Sequence, residues 1–320
     1  MFGGLLALFS AATFALNAVC VRRGVVTGTV MQALSVTVPI GVPITLVLVL
    51  VTGNVGTVFG LPLEPILWLA FAGVIHFCWG RYCSYKAMHA IGANLSAPVQ
   101  QFALIIALGQ AMFFLGEVLT PIKTLGLLLV IMGPMVLLRG RKKPAKETKP
   151  DAAIPVVSGG EDDDPSKLPG FQPRYVEGYI WAFLSTLGQG SSPVVVRIGM
   201  EGLSPAQGPA GVFISYLAAT AVVVLIWLIP GQMRAVRSME RGNIKWFVLS
   251  GLFVGLSQTM RYMALTIAPV TVVTPIQRLS MVFRTLFSWV LNREHETFNI
   301  WVMLRIFISF LGAILLSIST

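Results

Sequence analysis

Charge is scarce in this chain, and negative charge scarcest. Only 11% of its 320 residues are charged, with 13 Asp and Glu against 23 Lys and Arg, where a soluble domain carries roughly 25% charge. That shortage excludes an ordinary water-facing surface. Cysteine is nearly absent: Cys20, Cys78 and Cys83 all fall within or at the ends of apolar segments, which excludes a disulfide framework and a zinc site. No nucleophile elbow, phosphate loop or metal-ligand cluster occurs. The chain is therefore read as no enzyme, with no cofactor and no metal. The net charge of +10 does not point to nucleic acid, because the Lys and Arg residues gather in short connections beside apolar runs, where such residues set membrane orientation.

What is abundant is apolar sequence. Hydrophobic residues make up 55% of the chain and the mean hydropathy is +0.80, so the expected solvent is lipid. Windows of about 20 apolar residues predict spans over 2–21, 30–52, 66–88, 95–115 and 121–138, then over 176–197, 208–229, 246–266, 271–291 and 299–318. The first is a retained helix and no secretory signal, since Arg22 and Arg23 follow the apolar run instead of preceding it. The expected organisation is a five-helix unit over 1–139, a flexible charged linker over 140–174 and a second five-helix unit over 175–320. The linker is too rich in Pro, Lys, Asp and Glu to bury a core of its own. Its basic start, from Arg139 to Lys149, suits anionic lipid headgroups.

Counting cations sets the orientation. With the N-terminus outside, 16 Lys and Arg of the connections fall on the cytoplasmic side and only Lys123 and Arg197 outside. The positive-inside rule then puts both termini outside and the linker in the cytoplasm, with the bacterial inner membrane as the expected location.

The two units repeat one another. Tyr85-Lys-Ala87 followed by Ser96-Ala-Pro98-Val-Gln100 matches Tyr262-Met-Ala264 followed by Val273-Thr-Pro275-Ile-Gln277 at a constant offset of 177, and the same offset carries Glu117 onto Glu294. Arg22-Arg-Gly24 matches Arg197-Ile-Gly199 at an offset of 175. An odd number of spans per unit forces the second copy to enter the membrane inverted. Inverted repeats place a binding site at their interface near the midplane. Glu117 and Glu294, each ending a helix, fit an ion pair or a turn-stabilising role better than a substrate contact.

Tyr-x-Ala, the Pro at the start of the fourth helix and the Glu that ends it make the chain resemble the EamA-type branch of the drug/metabolite transporter superfamily. The resemblance implies an all-α integral membrane protein of about ten transmembrane helices in two inverted five-helix repeats, carrying metabolites or amphipathic compounds. Many relatives keep their termini in the cytoplasm, whereas the charge count here puts them outside.

Five arginines, Arg81, Arg261, Arg278, Arg284 and Arg305, fall inside predicted spans, while Glu64, Glu117, Glu177 and Glu294 lie near span ends. An intramembrane arginine costs about 2.5–3.5 kcal/mol at a helix centre on insertion scales, so it faces a cavity or a partner. Cations without deep carboxylates predict an anionic ligand. Arg278, beside the repeated Pro275 and Gln277, is the first candidate, with Arg261 and Arg81 next. Arg284 and Arg305 have the alternative of snorkelling to the surface. Gln100, Gln101, Gln258 and Gln277 can line a cavity or bond between helices. Trp79, Tyr82 and Tyr262 can stack on a planar ligand or simply pack. His76 is the one deep side chain that titrates near neutral pH and so the candidate for proton coupling. Asn17, Gln189, Ser191 and Ser192 read first as small polar residues permitting close packing.

The expected function is a secondary transporter, an exporter of a small organic anion working by alternating access. The alternatives are export of a drug, an amphipathic compound or a neutral metabolite, and a non-transporting membrane receptor or subunit that holds a lipid phosphate. The expected partners are a small-molecule substrate, the lipid bilayer and a second copy in a homodimer; nucleic acid is not among them.

Overall fold

In lipid, backbone polar groups must be satisfied within the segment, which leaves helices or closed barrels, and every regular element described here is helical. The structure, a computed structural model, describes residues 1–24, 30–139, 174–228, 241–280, 282–283, 286–287 and 300–318. In the first half these are α1 (Phe2–Gly24), α2 (Val30–Thr37), α3 (Gly41–Val51), α4 (Val55–Gly60), α5 (Leu63–Gly73), a π-helical segment (Val74–Gly80), α6 (Arg81–Gln100), α7 (Phe102–Leu115) and α8 (Pro121–Arg139). In the second they are α9 (Tyr175–Gly199), a short 3-10 turn (Pro205–Gln207), α10 (Gly208–Trp227), α11 (Arg241–Ile267), α12 (Val270–Gln277) and α13 (Ile300–Ile318).

Several predicted spans are interrupted. The span expected over 30–52 breaks between α2 and α3 at Val38–Ile40, where Pro39 cannot continue the hydrogen-bond ladder. The backbone expected to connect spans between 88 and 95 is helical within α6, but the chain turns back inside that element: Gln100 reaches Ser84 at 3.0 Å, where 16 residues of straight helix would hold them about 24 Å apart. A further break comes at Gln101, and its repeat-equivalent at Arg278, 177 residues later. Each follows three residues after the repeated proline, and the tight bonds Arg278 N–H to Pro275 O (2.9 Å) and Leu279 N–H to Ile276 O (3.0 Å) close the turn. Among the described residues three stretches are long and apolar enough by themselves to cross a membrane, Leu34–Val51, Leu63–Ser84 and Pro205–Trp227; Phe2–Asn17, Phe102–Leu115 and Pro121–Met132 are shorter apolar helices. The spans in α9 and α11 escape that criterion because they carry polar and cationic residues along their length. Of the expected linker only Arg174 is described, ion-paired with Glu177 at 2.8 Å; Glu294, Arg284 and the side chain of Arg305 also lie outside the described residues.

Packing follows the inverted repeat. The first helix of each half lies along the third helix of the other, α1 against α11 and α9 against the π segment and α6, while the fifth helices, α8 and α13, pack on each other. Small residues make the close approaches: a Cβ on Gly126 would meet the Gly312 carbonyl at 3.0 Å, and one on Gly312 the Gly126 carbonyl at 2.7 Å. Such small-to-small contacts are how helices associate where lipid removes the hydrophobic drive. Large apolar side chains point outward, Phe59, Phe113 and Phe9 at 85%, 82% and 62% exposure, as a lipid-facing surface requires. The halves are also tied at one end. Glu117 accepts hydrogen bonds from the backbone N–H groups of Val270 (2.7 Å) and Thr271 (2.8 Å), so the turn-stabilising role expected of it is played across the repeats, on the first turn of α12.

Candidate polar site between the repeats

The π segment builds one wall. Its wider turn frees backbone carbonyls, and helices adopt such turns mostly where something is being positioned. Two neighbours on α9 take up the Gly80 carbonyl, Ser185 Oγ–H donating at 3.0 Å and Gln189 Nε2–H at 3.3 Å. Gly73 lets the segment start against the Ser215 backbone of α10, and Gly188 leaves room for the Ile75 carbonyl. Pinned in this way, the segment presents His76 and Phe77 to the interior.

Opposite stands Arg261 on α11, 4% exposed. Its guanidinium donates to Ser192 Oγ of α9 at 2.8 Å and reaches His76 Nε2 at 3.5 Å. Both partners are neutral side chains, and Arg261 Nε and His76 Nδ1 have no partner among the described residues. Next along α11, Tyr262 donates from its hydroxyl to Ser215 Oγ at 2.8 Å, and Ser215 in turn donates to the Leu69 carbonyl at 2.6 Å. Phe77 stacks on Tyr216 of α10 with ring centroids 4.2 Å apart, and the Arg81 guanidinium lies 5.5 Å from the Phe77 centroid while reaching Thr37 Oγ1 at 3.5 Å. The Tyr216 hydroxyl is fully buried without a partner. Arg278, half-buried at the end of α12, lies within electrostatic reach of Arg261, and both Arg261 and Arg81 act on His76.

Two of the predicted cations, Arg81 and Arg261, thus lie beside the π segment that carries His76 and Phe77, with Gln258 and Tyr262 neighbouring Arg261 along α11 and Arg278 at the end of α12. Gln258, one turn before Arg261, is 2% exposed and its Oε1 has no partner. No described Asp or Glu forms an ion pair with any of the three arginines; the ion pair among the described residues is Arg174 with Glu177. Buried polar atoms without partners are uncommon in folded proteins and call for an explanation. Around the arginines they are the Gln258 carbonyl oxygen, Arg261 Nε, the Tyr216 hydroxyl and His76 Nδ1, collected around unneutralised positive charge.

The other predicted residues stand apart. Gln277 of α12 donates to Ser10 Oγ of α1 at 2.9 Å, and Gln100 donates to Ser84 Oγ at 3.0 Å, joining the two ends of α6. Gln101 occupies the turn between α6 and α7. Tyr82 meets Trp181 edge to face at 5.9 Å, with the Lys86 ammonium 5.8 Å from its ring, and Trp79 is 45% exposed. Ser192, read from sequence as a packing residue, is the first partner of Arg261. Ser215, Tyr216 and Phe77 drew no attention in the sequence, although a Ser-Tyr pair inside an otherwise apolar span is a signal that could have found two of them. Among the described residues no group of three or more His, Cys, Asp or Glu could hold a metal.

Comparison with known proteins supports the architecture. The sequence profile of the EamA-like transporter family matches residues 1–139 and 176–318. A protein of known crystal structure superposes with a TM-score of 0.70, covering 99% of this chain and 96% of its own at 19% identity; at that identity the likeness speaks for the fold alone. No curated protein matches the sequence.

Proposed function

Because the chain belongs to the EamA-like transporter family, we propose that the polar site between its repeats binds a small organic anion and that the protein exports it by alternating access. The observation that carries this reading is Arg261: a guanidinium 4% exposed whose side-chain partners are a serine and a histidine, with a further donor unused. A buried cation without a carboxylate is costly in the bilayer, and an arriving anion would remove that cost while taking up the free donor. Charge-assisted hydrogen bonds to arginine are the strong class. In this reading Arg261 grips the anionic group, Arg278 and Arg81 add electrostatic attraction, Tyr216 and Gln258 orient the rest of the ligand, and Phe77 with Tyr216 offers a flat apolar wall.

Topology supports export. The linker over 140–174 lies in the cytoplasm and both termini outside, by the excess of 16 cytoplasmic cations over Lys123 and Arg197. With that orientation an inside-negative potential expels each negative charge with about 2.3 kcal/mol per 100 mV, so downhill efflux needs no coupled proton. His76 then serves as a neutral hydrogen-bond partner of Arg261.

The test is counterflow in proteoliposomes containing only the purified chain, with a panel of anionic, neutral and cationic metabolites. Anion exchange that is suppressed by Arg261→Gln supports the reading. Movement of neutral or cationic compounds, equal in parent and variant, refutes it and leaves a carrier of a different substrate class. Binding of lipid phosphate without any exchange identifies a receptor.

A further inference from the structure

The bond between Glu117 and α12 joins two halves that alternating access must move apart. Several local features are spent on making it. Gly116 ends α7 in the left-handed region at φ 63°, and the Glu117 N–H returns to the Ala111 carbonyl at 3.2 Å, which is the turn by which helices stop on glycine. A Cβ on Gly116 would meet nothing within 4 Å, so the backbone angle alone demands glycine there. The receiving amides are free because the chain breaks after α11: Pro269, extended at φ −63° and ψ 152°, starts α12 afresh, and the first N–H groups of a helix have no acceptor inside it. Both Glu117 oxygens are engaged, at 2.7 and 2.8 Å. A carboxylate on a helix N-terminus is favoured by the helix dipole as well as by the hydrogen bonds.

By span parity the same face of the membrane carries two more contacts between the halves. Asn54 donates to the Ala206 carbonyl at 2.7 Å and Gln207 to Thr57 Oγ1 at 3.3 Å.

We propose that the Glu117 cap on α12 is the latch that holds shut the face carrying the connections 53–62, 116–120 and 198–207, and that it releases when the site opens to that face. Rocking of one repeat against the other must break whatever spans them on the opening side, and this bidentate contact is the strongest described link there. Its release also frees the N-terminus of α12, an eight-residue helix that ends beside Arg278, so opening the face and moving a cation of the site are one event. The latch rests on the family's transporter character and is independent of the charge of the ligand.

The experiment needs no substrate. In a full chain with Cys20, Cys78 and Cys83 replaced by alanine, Ser192→Cys is a buried reporter beside Arg261, and its alkylation by a membrane-impermeant maleimide is followed in sealed vesicles of each orientation. Glu117→Gln should speed labelling from the Glu117 face by about tenfold, within the range that loss of a helix cap carries, and leave labelling from the other face equal or slower. Faster labelling from both faces would mean general loosening, and no change in a folded variant would mean a plain structural cap; either overturns the latch. If Glu117→Gln does not fold, Gly116→Ala, which keeps the carboxylate but strains the turn that aims it, is read by the same two outcomes.

Discussion

Replacing Arg261 by glutamine separates a binding cation from a structural one, because the two roles predict opposite effects on the empty protein. Arg261 is 4% exposed and its bonds go to Ser192 Oγ at 2.8 Å and His76 Nε2 at 3.5 Å. A guanidinium held in a helix centre costs about 2.5–3.5 kcal/mol on insertion scales, and a hydrogen bond to a charged group returns about 1.5–3 kcal/mol. These nearly cancel, so the neutral variant should melt at the same temperature as the parent or somewhat higher. On the bound side the variant loses at least one charge-assisted bond, again about 1.5–3 kcal/mol, which weakens anion affinity by about 10- to 150-fold. The assay is thermal unfolding in detergent with and without the anions found active by counterflow. The expected signature is an empty-state melting temperature that holds while the anion-induced rise disappears. A variant that melts well below the parent and still exchanges anions would refute the reasoning, since Arg261 would then be a strut and no ligand contact.

Four further outcomes follow from the same structure. Gly73→Ala should destabilise by about 1–3 kcal/mol, the cost of overpacking, because its Cβ runs into the Ser215 backbone, whereas Gly109→Ala meets nothing within 4 Å and should melt like the parent. Tyr262→Phe removes the 2.8 Å bond to Ser215 and should cost about 1 kcal/mol in stability while anion exchange persists; loss of exchange with unchanged stability would show that the hydroxyl contacts ligand. Ser158→Cys, in the linker, should react with an impermeant maleimide only in inside-out vesicles, and reaction in right-side-out vesicles would reverse the orientation. Glu294→Gln, the repeat counterpart of Glu117 at an offset of 177, should bias the Ser192→Cys reporter toward labelling from the opposite face; acceleration from the Glu117 face would break the symmetry argument.

Much of the architecture was legible in the chain because its causes are local. A span is a length of apolar sequence, and the repeat is carried by residues that matter locally: Pro98 and Pro275 break their ladders and the chain turns three residues later in both halves, at Gln101 and Arg278. The candidate site was half legible. That arginines without deep carboxylates need a partner could be read from charge alone, and Arg261 and Arg81 lie beside His76 and Phe77 of the π segment. That Gln100 and Gln277 turn toward Ser84 and Ser10, while Ser192, read as a packing residue, and the unremarked Ser215 and Tyr216 turn inward, could not.

The sequence by itself determined the solvent, the all-helical class, the two inverted repeats and the presence of buried positive charge. All of these follow from composition, from the length of apolar runs and from proline chemistry, which act within a few residues. Tertiary structure alone decided the rotation of each helix about its axis, the π turn that aims His76 and Phe77, and the reach of Glu117 to a helix of the other half. In a span that is apolar nearly all round, no amphipathic stripe tells which face is inside. That choice falls to close contacts between glycines, serines and backbone of helices far apart in the chain.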